Sequence, residues 1–234
     1  MNILLIAGHG AGDPGAIGNG YKEADLVREL LPKIKSNLDS YSNVTVFDTS
    51  KNMYRHLKNG NAFDFSPFNY VFELHFNAGL SDSAKNDGKI TGTEILVHTD
   101  ESGISVEEKI VKNIAELGFK NRGVKRRNNL QNMNIIHRKG ISYALLETCF
   151  IDDSDDIKLY NSKKESVALA ISNGIIDGFN LRKPTTELTT VNDIVWELAN
   201  RGIITDKNLW LNKLEEDTNA YWLARKCVNY MIAN

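Results

Sequence analysis

Asn2-Ile3-Leu4-Leu5-Ile6-Ala7-Gly8-His9 is a run of apolar, mostly branched side chains that ends in a glycine and a histidine. Two later runs have the same form: Tyr70-Val71-Phe72-Glu73-Leu74 precedes His75, and Ile141-Ser142-Tyr143-Ala144-Leu145-Leu146 precedes Glu147. Such runs are typical of buried strands in a parallel sheet. Because open α/β sheets bind ligands beyond the carboxyl ends of their strands, the two imidazoles and the carboxylate are expected in one site, where they suggest a metal.

The alternation of strand and helix patterns predicts one α/β domain over residues 1–181. Strands are predicted at 3–7, 43–47, 70–74, 93–98 and 142–147, and helices at about 22–39, 103–117 and 163–179. The predicted fold class is therefore α/β, with a mostly parallel twisted sheet and helices on both faces.

A linker is predicted around Pro184, since proline disfavours a helical residue before it. Residues 188–234 then predict a small helical module, with an apolar stripe, a C-cap and two N-caps. The stripe is Val191, Ile194, Val195 and Leu198, the C-cap is Gly202, and the N-caps are Asp206 and Thr218. The aromatic residues Trp196, Trp210, Tyr221 and Trp222 could bind wall polymer, but their helical spacing favours core positions. A module of this size is marginal alone, so docking on the first domain or self-association is expected.

Charge, cysteine content and the N-terminal run limit the classes of protein to which the chain can belong. The formal net charge of -2 and the pI of about 6.2 do not indicate nucleic-acid binding. The basic cluster Arg122, Lys125, Arg126 and Arg127 is interpreted as a solvated face. Two distant cysteines indicate neither a disulfide framework nor a CxxC zinc site. The N-terminal run lacks the features of a secretory signal or a membrane span, so synthesis in the cytoplasm is expected.

The stretch Gly10-Ala11-Gly12-Asp13-Pro14-Gly15 fits the G-x-G-x-x-G spelling of a dinucleotide-binding turn. That turn requires a helix that begins at the glycines, whereas the chain continues through Ala16–Gly20 without helical character. The glycines are therefore expected to let a loop approach a ligand closely.

The metal interpretation rests on a small set of residues. His9 and His75 supply imidazoles, and Glu23 is the best third ligand by position, although the helix dipole alone favours an acidic residue there. His98 also ends a predicted strand, and spacing cannot exclude it. Glu147 could serve as the proton-transferring carboxylate or form a salt bridge. Cys149 makes a cysteine hydrolase conceivable, but a small buried thiol is favoured.

At this point the sequence resembles the zinc-dependent N-acetylmuramoyl-L-alanine amidases of the amidase type 3 group, which cut bacterial peptidoglycan. The matching elements are Ala7-Gly8-His9-Gly10, Glu23-Ala24-Asp25-Leu26, Glu73-Leu74-His75-Phe76-Asn77-Ala78, Asn121-Arg122-Gly123-Val124 and Leu145-Leu146-Glu147-Thr148-Cys149-Phe150. Each motif is weak alone, whereas the ordered set over residues 1 to about 180 is specific.

The resemblance implies one zinc ion held by His9, Glu23 and His75, with Glu147 as the catalytic carboxylate and Asn77 as a possible substrate contact. The implied reaction is hydrolysis of the amide between N-acetylmuramic acid and L-alanine of the stem peptide. The resemblance thereby favours His75 over His98, and peptidoglycan is the implied partner.

The expected biological setting follows from the N-terminus. A chain without a leader fits a phage endolysin that is made in the host cytoplasm and released to the cell wall through a holin-type membrane lesion. A bacterial autolysin or spore-lysis enzyme is the alternative origin. A protein of another class, which binds the wall or assembles on an amidase-like scaffold without turnover, is the alternative function.

Overall fold

The run Asn2–Ala7 forms an inner strand of a six-stranded sheet in the computed structural model, which describes residues 1–79, 86–183 and 190–233. The strands are β1 (Asn2–Ala7), β2 (Ile17–Gly18), β3 (Tyr21–Lys22), β4 (Asn43–Val46), β5 (Tyr70–Asn77), β6 (Thr93–His98), β7 (Asn121–Arg127) and β8 (Ser142–Phe150). The sheet has the order β4-β1-β5-β8-β6-β7, while β2 and β3 form a separate hairpin.

The direction of the strands decides which side chains can meet. β1 pairs in parallel with β4 and β5, and β5 pairs in parallel with β8. β6 runs antiparallel to β8, and β7 runs parallel to β6. The sheet is therefore mostly parallel, as predicted. The strands β1, β5 and β8 end on the same side of the sheet, called the carboxyl edge, whereas β6 and β7 end on the opposite side.

Helices cover both faces because alternate strand residues point to opposite sides. The helices of this part of the chain are α1 (Glu23–Leu38), α2 (Met53–Lys58), α3 (Ser105–Ala115), α4 (Gln131–His137) and α5 (Ser154–Gly178). Ile3 and Leu5 are fully buried in a core shared with α1, α3 and α5. Leu4 and Ile6 belong to a second core that includes Met53 of α2 and Met133 of α4.

Several boundaries differ from the predicted ones. β5 and β8 extend to Asn77 and Phe150, so His75 lies within β5 and not after it, and β8 continues beyond Glu147. The short helices α2 and α4 and the strand β7 were not predicted. In β7, basic residues stand in place of an apolar run. α5 begins well before residue 163, where a non-helical Lys163 (φ -133°) interrupts its pattern.

The chain divides into two units, Met1–Arg182 and Lys183–Asn234. The second contains α6 (Val191–Asn200), α7 (Lys207–Glu216) and α8 (Thr218–Ala233). Its small core includes Ile194, Val195, Leu198, Ile204, Leu214 and Val228. The predicted linker at Pro184 lies outside the described residues.

The caps of this second unit are mostly those that the sequence predicts. Gly202 follows α6 with φ +69°, and Asp206 accepts a hydrogen bond from Leu209 N. The N-cap prediction for Thr218 is wrong, because Asp217 Oδ1 accepts the amides of Asn219 and Ala220 instead. A carboxylate one residue earlier reaches the free amides of the first turn.

The aromatic residues of the second unit divide into two pairs. Trp210 and Tyr221 pack against its core. Trp196 and Trp222 are half-exposed, which contradicts the expectation of core positions for these two. Lys207 Nζ lies 3.9 Å from the centroid of the Trp196 ring, and Arg225 Cζ lies 5.1 Å from that of Trp222.

Across the three described ranges of the chain, no helix is both long enough and apolar enough to cross a lipid bilayer.

Candidate metal centre

Two imidazoles and a carboxylate meet at the carboxyl edge of the parallel strands. Glu23, the first residue of α1, places Oε2 3.1 Å from His9 Nε2 and Oε1 2.8 Å from His75 Nδ1. The potential ligand atoms of these three residues lie within 4.8 Å of one another. The structure thus brings together the three residues that sequence reasoning named as metal ligands.

The rings are oriented so that both can face one point. The His9 and His75 rings are nearly perpendicular, at 79°, with centroids 4.9 Å apart. The lone pair of each ligating nitrogen lies in its ring plane, and here one nitrogen of each ring is directed toward Glu23. Two histidines and one carboxylate are a donor set of catalytic zinc sites, which keep a fourth position open. The described geometry therefore suits such an ion.

Glu23 is held by the backbone as well as by the imidazoles. Oε1 accepts a hydrogen bond from Phe76 N at 3.0 Å, and Oε2 accepts one from Ala16 N at 2.9 Å. Burial alone would raise the pKa of Glu23, but the hydrogen bonds to His75 and His9 outweigh it and lower that pKa. The side chain is therefore an ionised acceptor that joins β5, the glycine loop and α1.

Two glycines permit the close approach of the ligand side chains. A Cβ atom on Gly8 would lie 2.4 Å from His75 Cε1, and one on Gly15 would lie 2.6 Å from Glu23 Oε2. Gly15 also has φ +66°. The loop does not open a helix but leads into the β2–β3 hairpin, which argues against a dinucleotide fingerprint. The glycines thus make room for the site's own side chains.

Arg28 fixes the turn that carries His9. His9 has φ +58°, a left-handed conformation that costs energy for a residue with a side chain. The Arg28 guanidinium donates hydrogen bonds to the carbonyl oxygens of Gly8 at 2.9 Å and His9 at 3.0 Å, and to that of Thr49 at 3.0 Å. This side chain therefore holds the strained turn in place from α1.

A second carboxylate lies beside the cluster. Glu147 of β8 is the register partner of His75 on β5 and of Glu94 on β6. Within the described residues, its Oε2 atom is buried and has no hydrogen-bond partner. Burial, together with the charges of Glu23 and Glu94, raises the pKa of Glu147 to about 7 against the lowering effect of nearby His75. Such a group can take up and release a proton near neutral pH.

Glu94 and Arg122 extend the same edge and were not singled out for this role from the sequence. Arg122 Nε donates to Glu94 Oε2 at 2.8 Å, and Asn77 Nδ2 donates to Glu94 Oε1 at 3.1 Å. Arg122 also lies over the Phe150 ring, 4.8 Å from its centroid. This arginine is thus part of a paired network, contrary to the expectation of a solvated face.

Each imidazole has a second carboxylate on its other nitrogen. His9 Nδ1 lies 3.1 Å from Asp13 Oδ2, and His75 Nε2 lies 3.0 Å from Glu73 Oε1. Burial would lower the pKa of His75, but Glu23 and Glu73 outweigh it and hold that pKa well above its ordinary value. Glu73 could have been noticed as a charge in a buried run, whereas no sequence signal points to Asp13.

His98 does not join this cluster, because β6 runs antiparallel to β8 and takes it to the opposite edge. There it stacks on His137, with centroids 3.6 Å apart and an angle of 13°, and Asp100 lies nearby. Nearly parallel rings direct their lone pairs in parallel planes, so the two imidazoles do not converge on one ion in this arrangement.

Cys149 is fully buried. Burial raises the pKa of its thiol well above the ordinary value, which disfavours the reactive thiolate. The cysteine-hydrolase alternative gains no support from this environment.

Comparisons with known proteins converge on one family. The family model Amidase_3, described as N-acetylmuramoyl-L-alanine amidase, matches residues 3–177. A probable autolysin of Staphylococcus aureus is 30% identical over 196 residues, which cover 75% of this chain and 39% of that protein. An endolysin of Bacillus phage SPP1 is 29% identical over 187 residues, which cover 77% and 67%. The chain thus spans well under half of the first relative and about two thirds of the second.

The fold is shared with solved structures. The catalytic domain of an N-acetylmuramoyl-L-alanine amidase from Bacillus (Paenibacillus) polymyxa aligns with a TM-score of 0.60 and 21% identity. The alignment covers 78% of this chain and 100% of that domain. The family match ends at residue 177, so it includes the whole cluster from His9 to Glu147 and stops before the second unit.

Proposed function

We propose that this chain, which belongs to the Amidase_3 family of N-acetylmuramoyl-L-alanine amidases, is a zinc-dependent hydrolase of peptidoglycan. The bond cleaved would be the amide between N-acetylmuramic acid and the L-alanine of the stem peptide, and cleavage would lyse the bacterial wall. The observation that carries the proposal is a buried carboxylate oxygen of Glu147, which has no hydrogen-bond partner among the described residues and lies beside the His9–Glu23–His75 cluster.

The charges around the cluster fit a divalent cation. Four carboxylates, those of Asp13, Glu23, Glu73 and Glu147, lie around two imidazoles. A divalent ion would balance this excess of negative charge, and His9, Glu23 and His75 would hold it. The chemistry that zinc supplies in such a site is a lowered pKa of water and a polarised substrate carbonyl.

Glu147 would move the proton. Glu147 is the register partner of His75 on the adjacent strand, and its carboxylate would accept a proton from the attacking water. The same proton would then pass to the alanine nitrogen as the carbon–nitrogen bond breaks, which leaves a free amine and a lactyl carboxylate. Asn77, whose amide is held by Glu94, is proposed as a substrate contact at the same edge.

Purified walls distinguish this activity from other wall hydrolases. We expect digestion to expose new alanine amino groups without new reducing sugar ends, because the amide and not a glycosidic bond is cut. Amino-group labelling and a reducing-sugar assay on the same digest measure both products. New reducing ends would instead indicate a glycosidase, and sedimentation with walls without loss of turbidity, even with added zinc, would support a non-catalytic binder.

The second unit is proposed to bind wall polymer or to mediate self-association. It has a small core of its own and exposes Trp196 and Trp222. A chain that ends at Arg182 retains the His9–Glu23–His75 cluster and Glu147. We therefore expect it to hydrolyse soluble muramyl peptides at the wild-type rate.

Co-sedimentation with walls and analytical ultracentrifugation test the wall binding and the self-association proposed for the second unit. We expect the shortened chain to bind walls more weakly or to lose self-association. An unfolded shortened chain would show instead that the second unit completes the catalytic fold.

A further inference from the structure

We propose that Glu73 is a positioning residue for His75: it accepts the hydrogen bond of Nε2–H and thereby leaves Nδ1 as the nitrogen that faces the metal. This inference rests on the proposed function, since it concerns the same ion. Glu73 meets the nitrogen of His75 opposite to the one that meets Glu23, so its role would be exerted through the imidazole.

The placement of Glu73 follows from strand geometry. It precedes His75 by two residues on β5, and residues two apart lie on the same face of a strand. Its Oε1 atom lies 3.0 Å from His75 Nε2, while His75 Nδ1 lies 2.8 Å from Glu23 Oε1. The ring is thus held between two carboxylates, one on each nitrogen.

Glu73 is itself fixed by neighbours from other elements. It is buried, with 4% of its surface exposed. Tyr143 Oη of β8 donates to Oε2 at 2.7 Å, and Asn132 Nδ2 of α4 lies 3.0 Å from Oε2 and 3.2 Å from Oε1. These donors orient the carboxylate, so that its position relative to His75 is set by the fold and not by side-chain freedom.

The consequence concerns the tautomer of His75. A neutral imidazole has one N–H and one lone pair, and the hydrogen bond made by one nitrogen decides which nitrogen is free to bind a metal. A carboxylate accepts hydrogen bonds and cannot donate one when ionised. Both nitrogens of His75 face carboxylates, so a cation bound on the Glu23 side would take the lone pair of Nδ1, and Nε2 would keep its proton and donate it to Glu73.

His9 has the same arrangement in a more exposed form. Its Nδ1 atom lies 3.1 Å from Asp13 Oδ2, and Asn52 Nδ2 donates to that oxygen at 3.1 Å. Both imidazoles thus direct one nitrogen to Glu23 and the other to a carboxylate held by an asparagine amide. Because the Asp13 side chain is 28% exposed, Glu73 has the larger expected effect.

Glu73→Gln in the full chain tests the proposal, with Glu107→Gln as the matched control. Glu107 is likewise a buried glutamate that accepts a tyrosine hydroxyl, Tyr70 Oη at 2.8 Å, but it contacts no imidazole in the described residues. Zinc affinity is measured by competition with a chromogenic chelator, and the stability of the metal-free proteins by thermal unfolding.

We expect Glu73→Gln to weaken zinc binding by about 10–100-fold, as is typical when the partner of a ligating histidine is lost. Glu107→Gln should bind zinc as the wild type does, even where both substitutions lower the unfolding temperature. Tyr143→Phe keeps the carboxylate and removes one donor to it, so a smaller loss of affinity in the same direction is expected.

Unchanged zinc affinity in Glu73→Gln would overturn the proposal and leave Glu73 as a structural residue only. Should that variant not fold, unchanged affinity in Tyr143→Phe overturns it equally. If the wild-type protein cleaves walls and binds zinc, and the zinc affinity of these variants is unchanged, only this inference is refuted. A wild-type protein that binds no zinc removes the zinc proposal together with it.

Discussion

Glu147→Gln is expected to lower the rate of wall hydrolysis by about 10²–10⁴-fold, the range typical for loss of a general acid–base group. Glutamine has nearly the same shape as glutamate but cannot take a proton from water at neutral pH. Because Oε2 of Glu147 has no hydrogen-bond partner among the described residues, the substitution breaks no hydrogen bond of that atom within them. The fold and the zinc content should therefore remain at wild-type values.

The measurement combines the hydrolysis rate with zinc content by elemental analysis of the same preparation. Glu107→Gln again serves as a control for removal of a buried carboxylate elsewhere in the domain. If Glu147→Gln loses its zinc along with activity, Glu147 is a ligand and not the proton shuttle. Full activity in this variant would refute the mechanism.

His75→Ala is expected to abolish both zinc binding and hydrolysis, with zinc falling from about one ion per chain to background. The substitution removes one of two imidazoles and leaves the carboxylates of Glu23 and Glu73 without their shared partner. Metal affinity then falls because one of the three proposed ligands is lost.

His98→Ala is the matched control, since His98 is also a partly buried histidine on a strand of the same sheet. It lies at the opposite edge and stacks on His137, so zinc content and activity should stay at wild-type values. Loss of zinc in His98→Ala with retention in His75→Ala would reverse the ligand assignment.

The fold was largely accessible from the sequence because buried parallel strands have a continuous apolar pattern. β1, β5 and β8 show it clearly, and their shared direction brings His9, His75 and Glu147 to one edge. β7 was not predicted, since most of its residues, Asn121–Arg127, are polar or basic. It is the outermost strand of the sheet and pairs on one side only.

Strand direction, unlike strand position, is not encoded in an apolar run. Spacing alone cannot exclude His98 as a ligand, and only the antiparallel pairing of β6 with β8 shows that this histidine lies at the opposite end of the strands. The same reversal places Glu94 opposite Glu147, which sequence spacing could not indicate. Contacts such as Asp13 to His9 depend on the path of a glycine loop, which has no periodic signal.

The hydrogen bonds from Arg28 to the carbonyl oxygens of Gly8 and His9 have a consequence for how the activity of related chains is inferred from their sequences. The proposed ligand set names only residues that would hold the ion, whereas the turn that carries His9 is also hydrogen-bonded by an arginine 19 positions away. A relative with both histidines and both glutamates but no equivalent of this arginine would lack these hydrogen bonds to the turn. In this chain, the support of the proposed site thus includes a residue that a search for metal ligands alone would not find.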